Sequence, residues 1–220
     1  MNAQGKRSGE TAREYAYRMI REQVISLELK PGEAFNDMEF AAKIGVSRTP
    51  VREAVIQLSE ESRIIEIFPQ RGMRIAPIDV ELVEEARSLR VLLEKQIAGM
   101  CCEMATEEDI KWLQENVGLQ EFYMENSRPE MVMQLDDEMH HKLFMICHRE
   151  LTYGMCQKLA IHYDRIRSLS VNTVKDNTII EDHRKIIQFI AEHKKDEEIN
   201  LESLNQQFAA SKAESEKPFA

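Results

Sequence analysis

Nowhere in this chain do the roughly 18 consecutive apolar residues of a membrane span follow one another, and no basic-then-apolar leader opens it. Neither a transmembrane helix nor a secretory signal is expected. Cysteine is sparse, and Cys101, Cys102, Cys147 and Cys156 show no CxxC spacing. That excludes the common zinc-ribbon and redox motifs and fits reduced thiols in the cytoplasm. No internal repeat is visible. What remains is an acidic chain of 220 residues, 43% hydrophobic, with a net charge of -10. Its length suits two small domains with real cores.

The charge is unevenly divided. Residues 1–76 carry 12 Lys and Arg against 11 Asp and Glu, a balance of +1, so the acid lies in the remainder. Within the balanced part, Gly45-Val46-Ser47-Arg48-Thr49-Pro50-Val51-Arg52-Glu53-Ala54 reads as the start of a helix. Ser47 is the expected N-cap, and Pro50 falls in the first turn, where a missing N–H costs least. Arg48 and Arg52, four apart, project from one face beside a helix N-terminus. That is a site for phosphate or for the O6/N7 edge of guanine in a major groove. A solvated surface helix is the bland alternative for two such arginines.

The surroundings favour DNA. Asn36 with Glu39 marks the start of a helix that should run to Lys43 or Ile44 and stop at Gly45. The two helices make a helix-turn-helix. An earlier helix is announced by Thr11 and Glu14 at the capping-box spacing and ends before Pro31-Gly32. Ile64 to Phe68 and Met73 to Ala76 read as short strands around Pro69-Gln70-Arg71-Gly72, a hairpin with a basic tip that forms a wing. Residues 1–10 read as a polar lead-in without structure, and 213–220 as a similar tail.

From about Tyr15 to Pro77 these motifs resemble the winged helix-turn-helix domain of GntR-type bacterial transcription regulators. The resemblance implies DNA contacts from Arg48, Thr49 and Arg52, with Gly72 letting the wing approach the minor groove; Arg71 beside it is a further candidate, for which an ordinary basic hairpin tip is the alternative. One departure is visible: Ser62 stands where the family usually has a glycine to end the recognition helix. The expected domain spans 11–77, and operator binding by a homodimer follows from the same resemblance.

Beyond Asp79, a plausible N-cap, the chain reads as an all-α bundle over 78–212, with joints near Thr106, Arg128-Pro129, Gly154 and Asp176-Asn177. Leu135, Met139, Leu143, Ile146 and Cys147 form one inward stripe, and Asp136 and His140 lie within it at i and i+4. Ile179, Ile180, Ile186, Ile187 and Ile190 form another, with His183 in its middle. Polar groups aimed into a core must meet one another, a water, a metal or a ligand. Asp136 and His140 can converge on one cation that His183 closes, or they can form a buried hydrogen-bonded pair beside a satisfied core histidine. Asp137, His141, Phe144 and His148 form a parallel set one residue over, ranked second. His162 and His193 read as surface or helix-end residues.

This half resembles the FCD ligand-binding domain of FadR-type GntR regulators, through the run Ala86 to Glu94 and the helices holding His140 and His183. The family binds a divalent metal (zinc, manganese or nickel) through an Asp and three His. Asp136-x-x-Met139-His140 and Asp182-His183-Arg184 match two motifs, while Gln207 occupies the third histidine's position, or Asn205 after a shift of two. The resemblance further implies a small carboxylate effector gripped by arginines, for which Arg90, Arg165 and Arg167 are the candidates. Each arginine could equally pair with the domain's many acids. Two rival readings are a bundle that serves only as a dimerisation scaffold, and a metalloenzyme with an open metal position, for which no general base is in view.

Overall fold

The computed structural model describes residues 5–173 and 178–194. They divide into two compact units on either side of Asp79 and Val80.

The first unit runs α1 (Ala12–Ile25), β1 (Ala34–Phe35), α2 (Asp37–Ile44), α3 (Arg48–Ser62), β2 (Ile65–Phe68) and β3 (Gly72–Ile75). Local chemistry sets most boundaries. Thr11 and Glu14 close a full capping box on α1, and Asn36 Oδ1 accepts from the Met38 and Glu39 amides to start α2. Gly45 ends α2 in the left-handed region at φ 73°, the conformation glycine adopts without a Cβ penalty. Ile20, Val24, Val51, Ala54, Val55, Leu58, Ile64 and Ile75 are fully enclosed, so α1 and α3 pack face to face over the small sheet.

Four expectations are corrected. Ser47 has the extended backbone of an N-cap, but its side chain caps no amide. The left-handed residue ending α3 is Arg63 at φ 54°, while Ser62 stays helical and buried with its Oγ donating to the Leu58 carbonyl at 2.9 Å. A serine can therefore replace the family glycine without strain at its own position. The lead-in is anchored from Gly5 onward, because Arg18 grips Glu10 at 2.8 Å and donates to the Gly5 carbonyl at 3.3 Å. The wing hairpin gains a third strand, β1, which pairs with β3 in the order β1-β3-β2. Two residues of strand carry no readable period, so sequence alone does not show it.

The second unit contains α4 (Val80–Met104), α5 (Glu107–Glu125), α6 (Pro129–Ile146), α7 (Glu150–Leu159), α8 (Ile161–Thr173) and α9 (Thr178–Ala191). Thr106 and Asp109 make a second capping box, and Pro129 opens α6. Gly154 is no joint: it lies inside α7, and the chain turns instead at His148, where φ is 54°. The expected joint at Asp176-Asn177 lies outside the described residues. Ile97, Cys101, Leu113, Val117, Met139, Leu143, Ile180, Ile187 and Ile190 build one core between α4, α5, α6 and α9. The two inward stripes expected on α6 and α9 face this core, with Ile179 at its half-buried edge.

Candidate functional sites

In the first unit Arg48 and Arg52 do share a face of α3. Their guanidinium groups meet the Oδ2 of Asp37, at 3.0 Å and 3.5 Å. The Asp37 carboxylate is enclosed, whereas the arginine side chains are 52% and 59% exposed. Asp37 thus ties down one edge of each fork and leaves the remaining N–H groups turned to solvent. Thr49 and Arg71 are exposed. Gly72 has φ 102°, a conformation closed to side chains, at the end of a tight turn in which the Arg71 amide donates to the Phe68 carbonyl at 3.0 Å. Arg74 is occupied by Glu66 across the hairpin.

In the second unit the buried site is assembled from α4, α5, α6, α8 and α9. Asp136 and His140 on α6 and His183 on α9 are all enclosed, and their ligating atoms lie within 4.8 Å of one another. Asp136 Oδ1 lies 3.2 Å from His183 Nε2 and 3.7 Å from His140 Nε2. The two imidazole rings stand nearly edge to face, 5.3 Å apart. On the far side of each ring another acceptor stands against Nδ1: Glu94 Oε1 at 2.9 Å from His140, and Gln120 Oε1 at 2.9 Å from His183. Gln120 holds the outer nitrogen of His183, while Glu94 Oε1 stands close to His140 Nδ1 without forming a hydrogen bond, and both Nε2 atoms turn toward Asp136 Oδ1. A carboxylate oxygen and two imidazole nitrogens so placed are a candidate donor set for a divalent metal.

The electrostatics agree. Burial pushes the Asp136 carboxyl up, but Arg167 and His140 outweigh it and hold it well below the usual range. Glu94 is brought down to about 2 against its burial, by Arg90 and His140. His183 is lowered to about 4, first by burial and then by the neighbouring His140 and Arg90, against Asp136. It is a neutral imidazole at neutral pH. His140 is raised: burial and Arg90 press it down, and Glu94 and Asp136 on either side prevail.

Of the three arginines, two reach the site and are already partnered there. Arg90 Nε donates to Glu94 at 2.6 Å, and its Nη2 lies 3.6 Å from Asp136 Oδ2. Arg167 binds Asp136 directly and also donates to Asp137 at 3.0 Å and Asp164 at 2.9 Å. Arg165 is buried too, but two helical residues place it about 200° around α8 from Arg167. Beside this cluster a pocket is lined by Leu89, Arg90, Glu94, His140, Phe144 and Tyr153, among others. The parallel set does not converge: His141 is exposed and stacks on Tyr153 at 4.7 Å, and His148 is exposed at a turn.

Three residues of the site were not singled out from sequence: Glu94, Asn116 and Gln120. The signal was present, since each lies on an otherwise apolar helical face. His162, expected near the surface, is 2% exposed, because α8 is enclosed on all sides over Ile161–Arg167. Gln207 and Asn205 lie outside the described residues.

A winged helix-turn-helix joined to a helical domain with a buried polar pocket defines a class, the ligand-responsive regulators of transcription. Residues 12–75 match the model of bacterial regulatory proteins of the gntR family, and residues 85–198 match that of the FCD domain. The chain belongs to the GntR family, in its FCD-bearing group. It is 30% identical over 158 residues to the HTH-type transcriptional repressor RspR of Escherichia coli K12, covering 72% of this chain and 69% of that protein. An HTH-type regulator from an unstable DNA locus of Streptomyces ambofaciens is 30% identical over 190 residues, 84% of this chain and 78% of its own. Among solved structures, E. coli McbR/YncC superposes with a TM-score of 0.72 at 18% identity, over 93% of this chain and 97% of that one. These relatives are regulators of transcription rather than enzymes. No described helix is long and apolar enough to cross a membrane.

Proposed function

We propose that this DNA-binding transcription regulator is a cytoplasmic homodimer. Arg48, Thr49, Arg52 and Arg71 contact the operator, Gly72 admits the wing to the minor groove, and Asp136, His140 and His183 hold a divalent metal. The single observation that carries the metal reading is the convergence of two histidine Nε2 atoms on Asp136 Oδ1, 3.2 Å and 3.7 Å away. A neutral imidazole nitrogen and a carboxylate oxygen facing each other are two acceptors, so a proton or a cation must stand between them. A divalent ion bound there needs both Nε2 atoms unprotonated, so its uptake is accompanied by release of any proton they hold.

The effector reading follows from the same cluster. Arg90 and Arg167 already answer Glu94, Asp136, Asp137 and Asp164. A small carboxylate entering the adjacent pocket is therefore best received by the metal, with Arg90 at the pocket wall turning from Glu94 to meet it. Such a ligand alters operator affinity only if it binds one arrangement of the dimer better than the other. Gln207, or Asn205 after a shift of two, stands where the resemblance implies the third histidine, and an amide ligand there would weaken zinc binding.

Native mass spectrometry of untagged protein tests the core of this reading. The expected spectrum is a dimer carrying about one zinc, manganese or nickel ion per chain, lost in His140→Ala. A protein that takes up none of the three ions on titration would overturn it.

A further inference from the structure

The core-facing stripe of α5 runs Leu113, Asn116, Val117, Gln120, Met124, so two amides sit in an otherwise apolar row. Both are buried, Asn116 to 4% exposure and Gln120 to 0%. An enclosed amide is costly unless its groups are satisfied; Asn116 Nδ2 has no hydrogen-bond partner among the described residues, whereas the Gln120 amide is engaged at both its nitrogen and its oxygen. Gln120 Nε2 donates to Asn116 Oδ1 at 2.7 Å and points a second hydrogen at Met139 Sδ, 3.9 Å away. With its NH2 group engaged there, Gln120 turns its carbonyl Oε1 to His183 Nδ1 at 2.9 Å.

A carbonyl oxygen only accepts, so Gln120 Oε1 calls for a proton on His183 Nδ1, and a ring carrying that one proton has Nε2 as a bare lone pair aimed at Asp136 Oδ1. We infer that Gln120, oriented by Asn116, is a positioning residue that selects the His183 tautomer and thereby makes Nε2 the nitrogen that binds metal. Gln120 is no ligand itself, since it lies across the ring from Asp136. The inference rests on Asp136, His140 and His183 being a divalent-metal site. The opposite setting, with both amides turned about, would present Gln120 Nε2 to the ring, move the ring proton to Nε2 and close that nitrogen to an ion.

Two substitutions separate these settings. Gln120→Glu has no donor and permits only the proton-on-Nδ1 tautomer, whereas Gln120→Leu imposes neither. Zinc affinity, measured on the full-length protein by competition with a chromophoric chelator, is expected to fall about 10- to 100-fold in Gln120→Leu and to be no weaker than wild type in Gln120→Glu. Long-range imidazole ¹⁵N spectra of the wild-type zinc form give a reading that no loss of folding can confuse. They should show His183 protonated on Nδ1 and metallated on Nε2. Zinc on His183 Nδ1, or a Gln120→Leu protein that binds zinc as wild type does, would overturn the inference while leaving the metal site intact. A wild-type protein that binds no zinc would remove both.

Discussion

Asp136 is answered by four neighbours at once, Arg90, Arg167, His140 and His183. Its charge is therefore the hinge of the buried network, and removing it leaves cations facing one another in a low-dielectric interior. Asp136→Ala is expected to abolish metal uptake and to destabilise the protein by roughly 3–5 kcal/mol, read by denaturant melts. Arg48 and Arg52 present the converse case. Each keeps a fork edge on Asp37 while most of its side chain faces water, so alanine at either should leave stability nearly unchanged. Operator affinity should fall by about 1–3 kcal/mol if the residue reads a base, and the salt slope by about one unit if it grips a phosphate. Fluorescence anisotropy against salt concentration distinguishes the two. The arginine pair was legible in sequence because i,i+4 spacing fixes a shared face. Asp37 as its anchor was not, because that contact spans 11 residues and a turn.

Among the elements, α5 shows how sequence-local chemistry and a long-range contact share one residue. Asp109 closes the capping box with Thr106 and also receives Lys142 of α6 at 2.6 Å. Burial pushes the Asp109 carboxyl up, but Lys142 and Thr106 outweigh it and bring it to about 2. Because the folded value is depressed below the unfolded one of 3.8, this group's contribution is complete above that pH and is lost as pH falls toward 2. Asp109→Asn should therefore flatten the acid-unfolding curve between pH 4 and 2 relative to wild type, and an unchanged curve would count against the linkage. At Gly45, where φ is 73°, a side chain meets backbone strain rather than crowding, since no atom lies within 4 Å of an added Cβ. Gly45→Ala should cost about 1 kcal/mol in thermal stability. The caps at Thr11 and Asn36, the glycine stop and the inward stripes of α6 and α9 were readable, because each depends on residues within one or two turns. Strand β1 and the interior position of Gly154 were not: the first exists only through pairing with β3, and the second shows that neighbouring packing overrides a single helix-weakening residue.

At the scale of the whole molecule, the separation of charge matches a separation of work. The balanced unit carries the DNA-binding motif, and the acidic unit buries the cluster that we assign to metal. If an ion binds only the folded helical unit, metal at 100 times its dissociation constant should raise that unit's stability by about 2.7 kcal/mol and leave the winged unit's melting unchanged. Differential scanning calorimetry, with and without zinc, reads this directly, and a single transition shifted as one would argue for coupled units. The sequence by itself determined the two-part organisation, the DNA-binding motif with Arg48 and Arg52, and the inward aim of Asp136, His140 and His183. Each of these is written in spacing along one element, where helical period alone says which residues share a face. Only the tertiary structure decided what those faces meet. It brought Glu94 from α4, Gln120 from α5 and Arg167 from α8 around the Asp136, His140 and His183 cluster, it set Arg90 and Arg167 against acids of the site, and it buried His162 within an enclosed helix. Such convergence depends on how helices pack and rotate against one another, and no single element's period contains that information.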